Sequence, residues 1–267
     1  MNKSAAPAPR SELATRSLVG VALVVAALAA VWLGGVVFWA ILSAISLGVF
    51  AEWADLSRLD GYRKKMLMLA LSVPLVVLGP LAAGPNFLAL GLLLGAGGFG
   101  WFITGRRDVW LGVVYAGLPV LSLMLIREQP RGFLFAFWVF GLVWLCDIGA
   151  YFAGRLVGGP KLARAISPNK TWSGLVGGVC AAAAFGGALH LAAGLPWRLA
   201  LATPLLALVA QAGDLYESWL KRRAGVKDSG TLLPGHGGLL DRLDGMIAAV
   251  PLAALLVVMP QILGWLE

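Results

Sequence analysis

Apolar residues in this chain fall in long unbroken runs rather than in alternation, and nine of the runs approach the roughly 20 residues that cross a hydrocarbon core as a helix. They cover residues 17–33, 35–53, 66–83, 86–104, 109–126, 132–153, 173–194, 199–220 and 246–266. The first two share one apolar stretch, and Gly34–Gly35 offers the only turn within it. The pattern predicts an all-α polytopic membrane protein with about nine transmembrane helices, a polar tail over 1–16 and a single transmembrane domain over 17–267. The longest polar stretches, 154–172 and 221–245, are where chemistry is expected.

Composition agrees with this reading. The chain is 60% hydrophobic and only 13% charged, with a mean hydropathy of +0.85, more apolar material than one soluble core can bury. Positive charge sets the orientation, because cytoplasmic loops retain Lys and Arg during insertion. With the N-terminus inside, 18 of the 21 Lys and Arg fall on the cytoplasmic side, and only Arg127, Arg131 and Arg198 on the other. The expectation is therefore an N-in, C-out protein. Residues 1–16 lack a cleavage signature, which argues against a removed signal peptide. Cys146 and Cys180 lie in apolar runs and suggest neither a disulfide framework nor a thiolate metal site. The formal net charge of +8 suits anionic lipid or a phosphorylated substrate.

Two segments carry the candidate chemistry, about 147–174 and 214–245. If the eighth helix runs through Lys221, then Asp214, Glu217, Ser218 and Lys221 share one face. Carboxylates beside a membrane core persist when paired, metal-bound or facing water. Glu217 can be read as a helix-end pair with Lys221, whereas Asp214 lies deeper and suits a hard-cation ligand. The loop that follows adds Arg222, Lys227, Asp228 and a glycine-rich Pro234–Gly238 around His236, then Asp241, Arg242 and Asp244. Glycines let backbone N–H groups approach an anion, and cations with oxygen ligands suit a polyphosphate. In the first segment Asp147, Tyr151 and Gly154 share a helix face. Ser167–Thr171 can cap the seventh helix, with Lys170 placed to meet a phosphate at that helix end.

These residues resemble a known signature. Ser218-x-x-Lys221-Arg222-x4-Lys227-Asp228-Ser229-Gly-x-x-x-Pro-Gly-His236-Gly-Gly-x-x-Asp241-Arg242-x-Asp244 is similar to that of the phosphatidate cytidylyltransferases, or CDP-diacylglycerol synthases. Asp147-x-Gly-Ala-Tyr151-x-x-Gly-Arg, Ser167-Pro-x-Lys170-Thr-Trp and Gln211-x-Gly-Asp214-Leu-x-Glu-Ser match as well. The N-terminal half agrees in hydropathy and at Glu52-Trp53. One departure is Ser173, where the family commonly has an acid or amide, so no family role passes to it.

The resemblance implies transfer of the cytidylyl group of CTP to phosphatidate, giving CDP-diacylglycerol and pyrophosphate for phospholipid biosynthesis. It also implies Mg²⁺, with a second cation allowed for. Catalysis would then be positioning and charge neutralisation, since the attacking lipid phosphate is already an anion. The resemblance gives Asp214, Asp241 and Asp244 to metal and, with Lys227, to the catalytic set. It gives Lys170, Lys221, Arg222 and Arg242 to phosphates, and Ser218, His236, Asp147 and Tyr151 to the substrate or its supports. The partners expected are CTP, phosphatidate and membrane lipid, with no nucleic acid; a homodimer is compatible. The expected setting is a bacterial inner membrane with the site facing the cytoplasm. Another lipid-phosphate nucleotidyl- or phosphotransferase is the nearest alternative, although the Asp-Gly-x-x-Ala-Arg motif of the CDP-alcohol enzymes is absent. A transporter fits less well, because its polar residues would gather at the bilayer midplane.

Overall fold

The computed structural model describes residues 20, 22, 24–230 and 237–264. Among them the chain forms nine helices and one short hairpin. The elements are α1 (Val24–Leu33), α2 (Gly35–Leu56), α3 (Gly61–Val77), α4 (Phe87–Thr104), α5 (Arg107–Glu128) and α6 (Gly132–Leu156). Then come β1 (Lys161–Ala163), β2 (Ser167–Thr171), α7 (Trp172–Ala193), α8 (Trp197–Ala224) and α9 (Leu240–Gly264). All but α1 and α3 are long and apolar enough to cross a membrane, which makes this an all-α polytopic membrane fold.

The split at Gly34 is real: Gly34 and Gly35 both have positive φ, and the Arg127 guanidinium donates to the freed Val31 carbonyl at 2.8 Å. The expected third span, 66–83, instead runs from Gly61 to Val77. Asp60 starts it by accepting the Arg63 N–H, and Gly79-Pro80 prevents its continuation. The ninth begins at Leu240 rather than 246, so Asp241 and Asp244 belong to its first two turns and not to the preceding loop. The segment expected to be loop and cap, 167–171, does cap α7 through Thr171, but it is not a loop: it pairs with β1 in an antiparallel hairpin, Lys161 opposite Thr171 and Ala163 opposite Ser167.

Helix α5 is the most enclosed of the spanning helices and packs against α2, α4 and α9, while α7 and α8 close the other side of α6. Polar bonds join helices where water is excluded. The Ser46 hydroxyl donates to the Ala116 carbonyl at 2.9 Å, and the Trp138 indole to Thr203 Oγ1 at 3.0 Å. Helices α6 and α7 meet through glycines: a Cβ at Gly149 would strike Ala181 and the Gly177 backbone, and one at Gly174 the Ala150 carbonyl.

Cross-links between loops group them at two ends of the bundle. At one end Arg106 donates to the Ser57 carbonyl, Arg58 to that of Ala224, and Arg222 to that of Ile166. At the other, Arg127 reaches α1, Arg131 donates to the carbonyls of Ala193 and Gly194, and Gln261 donates to Gln129. The first end holds the cationic loops and both segments singled out above.

Candidate active site

Helix α8 supplies the spine of the site. Its continuous run to Ala224 keeps Asp214, Glu217, Ser218 and Lys221 within two turns, as their spacing requires. Neighbouring elements divide this face in two. Toward α6, α7 and the hairpin, Lys170 Nζ lies 2.5 Å from Asp214 and donates to Gln211 Oε1 at 3.1 Å. Gln211 passes the contact on, its amide donating to Asp147 Oδ1 at 3.0 Å. Ser218 Oγ lies at the limit of hydrogen-bond reach from Asp214, at 3.5 Å. The remaining amide of this arrangement, the N–H of Gly174, is capped by the Thr171 hydroxyl, so the hairpin is pinned to the start of α7 and Lys170 points into the bundle.

Toward α9, Lys221 Nζ bridges Glu217 at 2.7 Å and Asp241 at 2.6 Å. Glu217 is fully buried, and its Oε1 has no hydrogen-bond partner. The expected helix-end pair is present, but it is one arm of a three-part network. Asp241 Oδ2 accepts the N–H of Ser229 at 2.9 Å and the N–H of Gly238 at 2.8 Å, and lies 3.0 Å from the Ser229 hydroxyl oxygen. Asp244, a turn further along α9, lies within electrostatic reach of Asp214, Glu217 and Asp147, and its Oδ1 accepts the N–H of Gly245.

A cavity of about 570 Å³ opens over the first of these two groups. It is lined by Asp147, Tyr151, Arg155, Lys170, Gln211 and Asp214 among others, and it is of ligand size. Asp147, Tyr151 and Gly154 all line it, in keeping with their shared helix face. Arg155 donates to the Tyr151 hydroxyl at 2.9 Å at the rim. Phe152, Leu156, Val157 and Trp172, each within two positions of a lining residue, are exposed.

Several expected site residues stand at the edge. Lys227 and Asp228 are exposed in the loop after α8, and Arg242 is exposed on the first turn of α9. Arg222 turns back to the carbonyls of Ile166 and Val226, tying the end of α8 to the hairpin. His236 lies outside the described residues. Ser173, which carries no family role, bonds through its hydroxyl to the Gly158 carbonyl and to Thr171 Oγ1.

The glycine-rich loop was expected to turn its backbone N–H groups to a substrate anion. The described amides of Ser229, Gly238, Leu239 and Leu240 face the protein's own carboxylates, Asp241 and Glu52. Sequence reasoning missed two residues here. Gln211, which bridges Asp147 to Lys170, stood in the matched motif without a role. Glu52 ends an apolar run in the other half of the chain, and a buried carboxylate at that position was itself a signal of a partner.

Metal fit can be judged from the donor set. Asp147, Asp214, Glu217, Asp241 and Asp244 outnumber Lys170 and Lys221 across the two groups, a surplus of hard oxygen donors that suits Mg²⁺. Among the described residues no three of His, Cys, Asp or Glu are gathered as a metal site; lysines stand between the carboxylates.

Comparison with known proteins extends the match beyond the motifs. The model of the cytidylyltransferase family matches residues 14–259. A protein of Brucella suis named phosphatidate cytidylyltransferase is 42% identical over 257 residues, covering 91% of this chain and 92% of the relative. The Brucella melitensis protein of that name is 43% identical over 258 residues with the same coverage. The Staphylococcus epidermidis protein of that name is 42% identical over 152 residues, 55% of this chain and 57% of its own. With the two segments joined at one end of the bundle and a match across nearly the whole length, the chain belongs to the cytidylyltransferase family.

Proposed function

We propose that this membrane enzyme transfers the cytidylyl group of CTP to the phosphate of phosphatidate, yielding CDP-diacylglycerol and pyrophosphate for phospholipid synthesis. The observation that carries this reading is the Asp147–Gln211–Lys170–Asp214 chain of contacts, which joins the two motif segments in one ligand-sized cavity. A phosphate oxygen of the lipid bonds to the α-phosphorus of CTP as the bond from that phosphorus to the β-phosphoryl oxygen breaks. Pyrophosphate leaves with the electron pair, and no proton need be removed from the attacking group.

Lys170 and Lys221 are the cations inside the site. Each can exchange its carboxylate for a phosphate oxygen and so offset the repulsion between the two anionic substrates. Arg222, Lys227 and Arg242 at the edge add positive charge where the polyphosphate arrives from water. Asp214, Asp244 and Asp241 would hold Mg²⁺, with Asp147 orienting them, and the ion would supply Lewis-acid charge at the reacting phosphate. Ser218 supports Asp214, and Tyr151 and Arg155 border the side on which a lipid phosphate enters. His236 keeps the substrate-side role that the resemblance implies.

The positive-inside rule supports placing this end in the cytoplasm, where CTP is made, and a bacterial inner membrane is the setting proposed with it. The reaction is tested by position of label. Purified protein given phosphatidate should move ³²P from the α-position of CTP into lipid and leave γ-label in pyrophosphate. Lipid labelled from the γ-position, or none labelled from either by folded protein, would reject the assignment.

A further inference from the structure

Glu52 lies in the last turns of α2, far from the motif segments in sequence, and only 5% of it is exposed. A buried carboxylate without partners would be strongly unfavourable. Its partners all come from one place: Oε1 accepts the N–H of Leu239 at 2.9 Å, and Oε2 accepts the N–H of Leu240 at 2.9 Å and the Ser229 hydroxyl at 2.8 Å. The two amides are the entry to α9, the helix that presents Asp241 and Asp244 within its first two turns. Ser229 is shared, since its hydroxyl is 3.0 Å from Asp241 Oδ2 and its N–H donates to that same oxygen. Asp241 in turn holds Lys221. The backbone is shaped around the contact: a Cβ at Gly230 or Gly238 would run into the Glu52 carboxylate.

We infer that Glu52 is a positioning residue for cytidylyl transfer, an internal anion that fixes the entry of α9 and, through Ser229, the placement of Asp241 and Lys221. The inference rests on the reaction proposed above, and its test separates the two.

Glu52→Gln keeps the shape but sets an NH₂ group against a backbone N–H, so the contact to Leu239 or to Leu240 is lost. Turnover should fall at least tenfold, with KM for CTP and phosphatidate within about threefold of wild type and a higher Mg²⁺ concentration needed for half-maximal rate. Hydrogen exchange should quicken at Leu239 and Leu240 but not in α4 or α5. Gly238→Ala, which crowds the same carboxylate, should act likewise, and the double variant should be little worse than the poorer single one. Turnover within twofold of wild type in Glu52→Gln would overturn the inference. So would a loss accompanied by faster exchange throughout the bundle, which marks a general folding role. If the wild-type protein forms no cytidylyl lipid, the reaction assignment fails, and exchange at Leu239 and Leu240 alone decides whether Glu52 holds the entry of α9.

Discussion

Lys170 has two neighbours on α8, the Asp214 carboxylate and the Gln211 carbonyl oxygen, so it joins the hairpin segment to the spine of the site. A charge-assisted contact of this kind is worth roughly 1.5–3 kcal/mol. Lys170→Ala should therefore lower kcat/KM for CTP or phosphatidate by about tenfold or more, and Lys170→Arg should not restore it, because the planar fork is wider than a point charge. Unchanged kcat/KM in Lys170→Ala would remove the residue from the site. Asp214→Asn should leave a folded protein that has lost nearly all turnover, since a neutral amide neither balances Lys170 nor holds a hard cation. Wild-type turnover by this variant at limiting Mg²⁺ would exclude a metal role. Ser173→Ala removes a bond to the Gly158 carbonyl at the base of the hairpin, outside the Lys170–Asp214 contact. It should cost about 1 kcal/mol of stability and leave kcat/KM within about threefold of wild type.

Helices α6 and α7 hold the hairpin in place through small residues. A side chain at Gly177 would meet the Ala153 methyl and the Gly149 carbonyl, while Gly187 on the same helix faces open space. Gly177→Val should lower the thermal midpoint, as overpacking of a tight contact costs typically 1–3 kcal/mol, and should reduce activity by shifting Lys170. Gly187→Ala should change neither. Equal midpoints for the two variants would show that the seam does not position the site.

Spacing alone made the α8 face legible, because a helix fixes which residues are neighbours three and four apart. It could not show that α9 and the hairpin pull that face toward two separate networks. The hairpin escaped because Lys161–Ala163 and Ser167–Thr171 are short and lack alternation. Glu52 escaped because its partners, two backbone amides and the Ser229 hydroxyl, lie 177 to 188 positions away, which no local pattern encodes.

For the whole molecule, loops at the two ends of the bundle differ in charge. Among the described residues, Arg127, Arg131 and Arg198 are the only Lys or Arg at the end away from the site. Seven helices are long and apolar enough to cross a membrane, and the cavity lies at the end of the bundle that carries the other cationic loops. In a Cys180→Ser background, cysteines at Ala165 and Val226 should react with an impermeant reagent only from the cytoplasm, and one at Ala83 only from outside. Labelling of the first two from opposite faces would break the single site apart. This one site is proposed to perform cation-assisted cytidylyl transfer to a lipid phosphate. The direct measurement is CDP-diacylglycerol and pyrophosphate release by purified protein from CTP and phosphatidate as Mg²⁺ is removed with a chelator and then restored. Both products should form in equal amounts, be lost on chelation and return with Mg²⁺. Equal rates with and without the cation, or pyrophosphate released without a cytidylyl lipid, would contradict it.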